Sequence, residues 1–510
     1  MNPRPTQTML RALLAALFLP ALAIAQMQRT PSSATNSLYG SVTTVQPVAA
    51  TLPLSLDDAV RRGLAHNLQI AIATQEQRTA AGERLEAINY LMPTITWQAA
   101  RSRNQFNLAA EGFRAKTFSA FPKGFFPPSL IASFQPVVTV NVVSAQANLD
   151  QSLFDLRSLE LYRAAKQEIR AVNYSLQSSR QDVIQAVADS YLQALADAAN
   201  VTNAQRLLAT NAEILRQATL EHEAGTAAKL DELRARVQYQ QQEQVVIAQQ
   251  NAFEKAKITL NRQIGLPADQ KIQLTDATPY GTLDTMPLQQ SLEEAYANRQ
   301  DYLRLQAKLR SAQFQQRAAR FERLPTLKFN GNYGVVGTVG SIYHGAFLAQ
   351  GTVSIPIFRE AKFRGDRDVA DAAARNTMSQ LAGLKNQIEA QIRDSMLDTT
   401  ATEQLVKVAR SNVDLSQSSL NDATDRFKNG IDDNLPVVEA QATLAAAQAQ
   451  LVNSLYQYNQ AKLGLARNLG MIDQQYRIYL GNAVQADTPR GISQLRSTAY
   501  RSHGSFSPAE

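Results

Sequence analysis

Residues 189–230, DSYLQALADAANVTNAQRLLATNAEILRQATLEHEAGTAAKL, have a second edition at 394–435, DSMLDTTATEQLVKVARSNVDLSQSSLNDATDRFKNGIDDNL. The offset is 205, and it holds without a gap from Asp189-Ser190 over Asp394-Ser395 to Gly265 over Gly470. Gly225 falls on Gly430, Leu230 on Leu435, Lys257 on Lys462 and Arg262 on Arg467. Val201, Leu208, Leu215 and His222 step by seven, as do their images Val406, Val413, Leu420 and Phe427. A seven-step stripe kept in register over several turns predicts helices packed side by side as a coiled coil. Each copy therefore reads as a very long helix, a tight turn at glycine, and a return helix. The first long helix is expected from about Asp155 to Ala224, roughly 100 Å at 1.5 Å per residue. Such an element makes a tube wall or a stalk more readily than a catalytic domain.

Working outward, two-half organisation extends over most of the 510 residues. The expected layout is a signal peptide at 1–25, a flexible leader at 26–53, a first repeat at 54–265, a linker at 266–287, a second repeat at 288–470 and a polar tail at 471–510. Arg4 and Arg11 precede the apolar run Leu13–Ile24, and Ala23-Ile24-Ala25 offers a small-x-small cleavage site before Gln26. No other run reaches the roughly 18 apolar residues of a membrane helix. A helix is expected over 54–90, with Ser55 as its cap. Its counterpart is expected to begin at Ser291-Leu292-Glu293-Glu294-Ala295, echoing Ser55-Leu56-Asp57-Asp58-Ala59. Pro93 and Pro325 stop these helices.

After each proline the period changes to two. Leu327, Phe329, Tyr333 and Val335 alternate with Thr326, Lys328, Asn330 and Asn332; Val353, Ile355 and Ile357 alternate with Thr352 and Ser354. Ile95, Trp97 and Ala99 alternate with Thr94, Thr96 and Gln98. One strand hairpin per half is expected, at 94–153 and 326–358. The pattern fits strands crossing a bilayer with lipid on one side and water on the other. A soluble sandwich with one wet face has the same alternation, but the export signal and the long helices favour the membrane. Four strands leave open edges that lipid does not tolerate, so closure needs further copies of the chain. The polar face, with Lys328, Asn330, Asn332 and Gln350, favours three copies and a water-filled lumen over two. The aromatics of the loop at 104–136 either line an external constriction or, the reading preferred here, pack the loop near the lipid interface.

The composition bounds the chemistry. There is no Cys, which excludes disulfides, thiolate metal sites and an acylated N-terminal cysteine. The net charge of +7 forms no basic patch with interleaved aromatics, so no nucleic-acid partner is expected. His66, His222, His344 and His503 lie in separate regions, without metal-ligand spacing or a catalytic partner. Neither an enzyme, a metal site nor a cofactor is expected.

Taken in order, these features resemble the TolC-like outer-membrane efflux protein (outer membrane factor) family. The resemblance runs from about Leu54 to Gly470. It rests on the duplicated helix, the proline turn into a strand hairpin, and the exits Ser152-Leu153-Phe154-Asp155 and Pro356-Ile357-Phe358-Arg359. The long helix, the glycine turn and the return helix ending Gln263-Ile264-Gly265-Leu266 or Asn468-Leu469-Gly470-Met471 complete it. It implies an α+β membrane protein. Duplicated long helical hairpins would form a periplasmic helical barrel, continuous with a transmembrane β-barrel to which each chain gives four strands, twelve in a homotrimer. The implied function is an exit duct of a tripartite efflux or type I secretion system. The implied partners are a periplasmic adaptor, an inner-membrane pump or secretion transporter, and outer-membrane lipid. A structural or adhesive coiled-coil surface protein is the alternative, although it would not need matching strand hairpins.

The resemblance also places a gate at the hairpin tips, with Gly225, Asp231, Gly430, Asp432, Asp433, Pro436 and Glu439 as its candidate residues. Asp231 matches an acidic link position and Glu439 a ring carboxylate. Pro436 stands where the other ring Asp would be, and Asp432 where a basic link residue would be. Asp432, Asp433 and Glu439 either ring the mouth, favouring cations, or serve as N-terminal acids of the return helix.

Overall fold

The structure is a computed structural model that describes residues 36–42, 50–114, 116–117, 121–122, 124–226, 228–284, 286–340, 343–429, 431–432 and 435–480. The expected signal peptide, Gly430, Asp433 and most of the expected tail lie outside the described residues. The first half comprises β1 (Leu52–Leu54), α1 (Leu56–His66), α2 (Leu68–Asn89), β2 (Thr94–Asn107), α3 (Pro128–Ala132), β3 (Val137–Phe154), α4 (Leu156–Glu223) and α5 (Lys229–Gln263). Then come β4 (Ile272–Leu274), α6 (Leu288–Asn298), α7 (Gln300–Phe321), β5 (Thr326–Thr338), β6 (His344–Ser354), α8 (Glu360–Lys428), α9 (Leu435–Asn468) and α10 (Ile472–Leu480).

The long helices α4 and α8 have 68 and 69 residues, each about 100 Å at 1.5 Å per residue. Asp155 caps α4, its carboxylate accepting the Ser158 N–H at 3.0 Å. The stripe expected on α8 is observed: Val406 and Leu420 are buried, and Val413 and Phe427 pack with Val437, Ala440 and Leu444 of α9. On α4 the expected stripe is displaced. Val201, Leu208, Leu215 and His222 are only half-buried, and the buried seven-step set is Ala204, Asn211 and Ala218. The reason is geometric. In a single layer α4 meets α5 along one side and α9 along the other, so its dry positions divide between two seams.

The single helix expected at 54–90 is two. Asn67 breaks it in extended conformation and caps α2, accepting the Gln69 N–H. Its amide then donates to the carbonyls of Leu38 (2.9 Å) and Gln263 (3.3 Å). Arg299 breaks the second half at the equivalent place. It is buried, paired with Asp301 at 2.6 Å and donating to Gln391 at 2.8 Å. The helix starts Leu56 and Leu288, the breaks, and Pro93 and Pro325 all share an offset of 232. The echo of Ser55 in Ser291 is therefore one turn out of register; the residue matching Ser55 is Pro287. On the correct alignment Ala59 pairs with Ser291 and Gly63 with Ala295, small buried residues where α1 and α6 lie on the long helices.

These small elements pack on the middle of the helix layer, in a core that includes Leu54, Val187, Tyr191, Ile264, Ile388, Ile392, Leu463 and Ile472. Tyr191 is fully buried, its hydroxyl 3.0 Å from the Leu54 carbonyl and 2.9 Å from Asp276, which also accepts the Leu56 N–H. Two expectations are corrected here. The leader is engaged before residue 54, because β1 pairs in parallel with β4 of the linker and Leu38 packs on the core. The polar tail does not begin at 471, because α10 buries Ile472, Tyr476, Tyr479 and Leu480. Arg477 of α10 pairs with Asp57 at 2.7 Å. The linker is held by α9: Lys462, fully buried, donates to the Gly281 carbonyl at 3.2 Å, and Asn459 donates to that of Pro279 at 2.8 Å.

The four long strands form one antiparallel sheet in the order β2-β3-β5-β6. They are 14, 18, 13 and 11 residues long. β6 ends at Ser354, so Ile355 and Ile357 leave the ladder and lie exposed before α8.

Candidate functional site: strand faces and hairpin tips

Residues directly opposite across a ladder share a face. One row of the sheet reads Trp97, Ala147, Tyr333, Phe347; the rows beside it read Ile95, Leu149, Gly331, Ala349 and Ala99, Ala145, Val335, Gly345. The other face reads Thr94, Asp150, Asn330, Gln350, then Thr96, Asn148, Asn332, Leu348. Asn330 bonds to Asp150 across that polar face. The apolar band runs from Leu327 to Gly337 along β5, ten steps at about 3.4 Å. With a tilt of about 40° that is roughly 26 Å, the height of the apolar band on a membrane barrel. Beyond it, Arg101 and Arg103 follow on the same side of β2. Trp97, Tyr333 and Phe347 are 72, 73 and 79% exposed, so among the described residues nothing covers this face. β2 and β6 are the end strands, and among the described residues neither pairs along its outer edge. The loop between β2 and β3 spans 108–136, shorter than expected because β2 extends to Asn107. There Phe121, Phe125 and Phe126 pack together with centroids 5.0–5.6 Å apart.

The hairpin tips lie at the opposite end of the long helices. Gly225 turns the first one at φ +74°, where α4 ends and a residue with a Cβ would be strained. Asp231 stands in the first turn of α5, 3.5 Å from Arg234. In the second tip Asp432 precedes α9 and pairs with Arg426 at 2.6 Å. That hydrogen bond and charge hold the Asp432 carboxyl below its ordinary range. Pro436 falls in the first turn of α9 and Glu439, exposed, one turn further. Of the seven candidates, five are thus described, and two carboxylates, Asp231 and Asp432, are already matched by a cation of their own chain.

Sequence reasoning missed Glu232. It is buried where α5 begins, with Lys229 beside it, Arg236 at 2.9 Å and His222 of α4 at 3.9 Å. The Lys229 hydrogen bond, then the charges of Lys229, Arg236 and His222, hold its carboxyl low. The available signal was the spacing of Lys229, Glu232 and Arg236 at i, i+3 and i, i+7 on one helix face. His222, expected merely to pack, thus sits in a charged cluster closing the first tip. The two hairpins stay side by side down to this level, since Ile214 of α4 packs into the α8–α9 seam.

A sheet with one apolar and one polar face, joined to helices of 100 Å, is the architecture of an outer-membrane channel with a helical extension. The chain belongs to the outer membrane efflux protein family, whose profile matches residues 60–266 and 291–471, one stretch per repeat. It is 26% identical over 314 residues to the pyoverdine export outer membrane protein OpmQ of Pseudomonas aeruginosa, covering 61% of this chain and 65% of that one. The alignment thus spans just under two thirds of that relative. Outer membrane protein TolC of Escherichia coli is 25% identical over 366 residues, 68% of this chain and 73% of its own. The outer membrane protein VceC of Vibrio cholerae superposes with a TM-score of 0.67 at 16% identity, covering 81% of this chain and 96% of that one.

Proposed function

We propose that this chain is the exit duct of a tripartite efflux or type I secretion assembly. Three copies close a twelve-stranded barrel by pairing β2 of one chain with β6 of the next. The apolar face meets outer-membrane lipid, the polar face lines the lumen, and the long helices continue the conduit through the periplasm. A cleaved signal peptide exports the chain, and no lipid anchors it. The duct is passive. A periplasmic adaptor opens the tips, where Gly225, Asp231, Gly430, Asp432, Asp433, Pro436 and Glu439 form the closing contacts. The energy comes from an inner-membrane pump or secretion transporter.

The single observation carrying this reading is that, among the described residues, the sheet edges β2 and β6 are unpaired and the apolar face is uncovered. Because the chain has no Cys, paired cysteines test it cleanly. Gln98→Cys is combined in turn with Leu348→Cys, Gln350→Cys and Thr352→Cys, all on the polar face. At least one pair is expected to link chains into covalent trimers, since laterally paired strands bring Cα atoms within disulfide reach. Monomers throughout the series, from properly folded membrane protein, would contradict the closure.

A further inference from the structure

A cavity of about 430 Å³ lies where α4, α5 and α9 meet the segment at Leu38 and Tyr39. Its chemistry is set by Asp189. This residue is on the face of α4 turned away from Val183, Val187 and Tyr191, which pack into the central core; it lies 200° around the helix from Val187 at 100° per residue. The Oδ1 atom of Asp189 is sealed from solvent and accepts no hydrogen bond from the described residues. The other acid of the lining, Asp182, is already paired with Arg467 at 2.7 Å. The described lining contains no lysine or arginine. Tyr39, Tyr456, Gln185, Gln193 and Gln460 supply aromatic surface, amide donors and amide acceptors around it.

We propose that this cavity is a binding site for a small organic cation, a protonated amine with an apolar body, whose ammonium group bonds to the Asp189 carboxylate. Asp189 is half-buried with one carboxylate oxygen sealed and unbonded, a costly arrangement that is relieved when a proton or a cation neutralises the carboxylate through its other oxygen. A proton alone would need no cavity. The volume lies in the range of small-molecule sites, and tyrosine rings attract an adjacent ammonium group. Burial pushes the Asp189 carboxyl up to about 7, so a cation competes with a proton near neutral pH. The other titratable and charged groups facing it are Asp182 and Asp197 on α4, Tyr39, and Tyr456 and Arg467 on α9. Burial pushes the Tyr456 hydroxyl up to about 12, outside the pH range of the test.

The test is fluorescence titration of the full-length protein with dansylcadaverine, a protonated amine, against dansylamide, its uncharged counterpart. Saturable binding of dansylcadaverine, one per chain, is expected at pH 8, weakening roughly thirtyfold by pH 5.5 as a carboxyl at about 7 takes up its proton. Asp189→Asn is expected to weaken it at least tenfold and abolish the pH dependence, whereas Asp189→Glu retains it. Equal affinity in wild type and Asp189→Asn, saturable dansylamide binding of the same strength, or no saturable binding in wild type would each overturn the proposal. The readout is binding and not current, so its outcome is separate from whether the protein conducts.

Discussion

Gly470 abuts the peptide that joins Asn298 to Arg299: a Cβ on Gly470 would stand 2.7 Å from the Asn298 carbonyl carbon. Gly265 meets His66 in the same way, with a Cβ there 2.4 Å from that of His66. His66 and Asn298 are equivalent helix ends, so the two halves make one contact twice. In each, the return helix ends at a left-handed glycine, φ +79° and +76°, against the break in the short helix pair. This contact fixes the height at which each hairpin joins the central core.

Alanine at these positions combines a backbone penalty of about 1–2 kcal/mol with overpacking of about 1–3 kcal/mol. Gly265→Ala and Gly470→Ala are therefore expected to lower the thermal midpoint clearly. Gly225→Ala at the tip carries the backbone penalty alone, because a Cβ there meets nothing within 4 Å. Thermal denaturation of the three variants in detergent ranks them, with Gly225→Ala nearest wild type.

Asp189 makes stability depend on pH. Its carboxyl is raised from 3.8 to about 7 in the folded chain by burial. The folded state thus holds a proton that the unfolded state has released. The associated stability is complete below about pH 4 and is lost as pH rises through about 7, up to about 4 kcal/mol per chain. Asp189→Asn is expected to melt above wild type at pH 8, with the gap shrinking towards pH 5. Melting curves at pH 5, 6.5 and 8 measure it.

The register of the sheet assigns adjacent residues of β2 to opposite environments. Ile95→Arg places a cation on the apolar band, at a cost of about 2–4 kcal/mol if it is deep in the bilayer. Thr96→Arg projects from the polar face and is expected to assemble normally. Yield of folded protein in outer-membrane fractions distinguishes them, and equal yields would mean that the apolar face does not meet lipid.

At the second tip, Arg426→Ala frees the Asp432 carboxylate from its 2.6 Å partner. If Asp432 faces the mouth, the variant gains cation preference, whereas Asp432→Asn loses it. Reversal potentials in asymmetric KCl report both.

Much of this architecture is legible in the chain because it is local and repeated. The prolines at 93 and 325, the alternation of Ile95, Trp97 and Ala99, and the offset of 205 each act within a few residues or along one helix. What escapes the sequence depends on distant partners. Asn67 breaks a helix because it bonds to Leu38 and Gln263. The residues after 471 fold because Ile472 and Tyr476 find the central core. The dry stripe of α4 divides because a second hairpin lies beside it. At the tips, glycine announces the turns, but the Asp432–Arg426 pair and the Glu232 cluster appear only once the helix ends are placed. Asp189 was visible as one half of a repeated Asp-Ser pair, without a hint of its enclosure.

The central claim is that these walls enclose a conduit, and single-channel recording of the purified protein in a planar bilayer tests it most directly. Two forms are compared: wild type, and a variant in which the tips at 223–231 and 428–436 are replaced by short glycine turns. Discrete conductance steps are expected in wild type, or, where its tips are shut, in the tip-deleted variant with a larger and steadier step. Silence from both, when each is folded and inserted, would contradict the claim and leave a structural stalk.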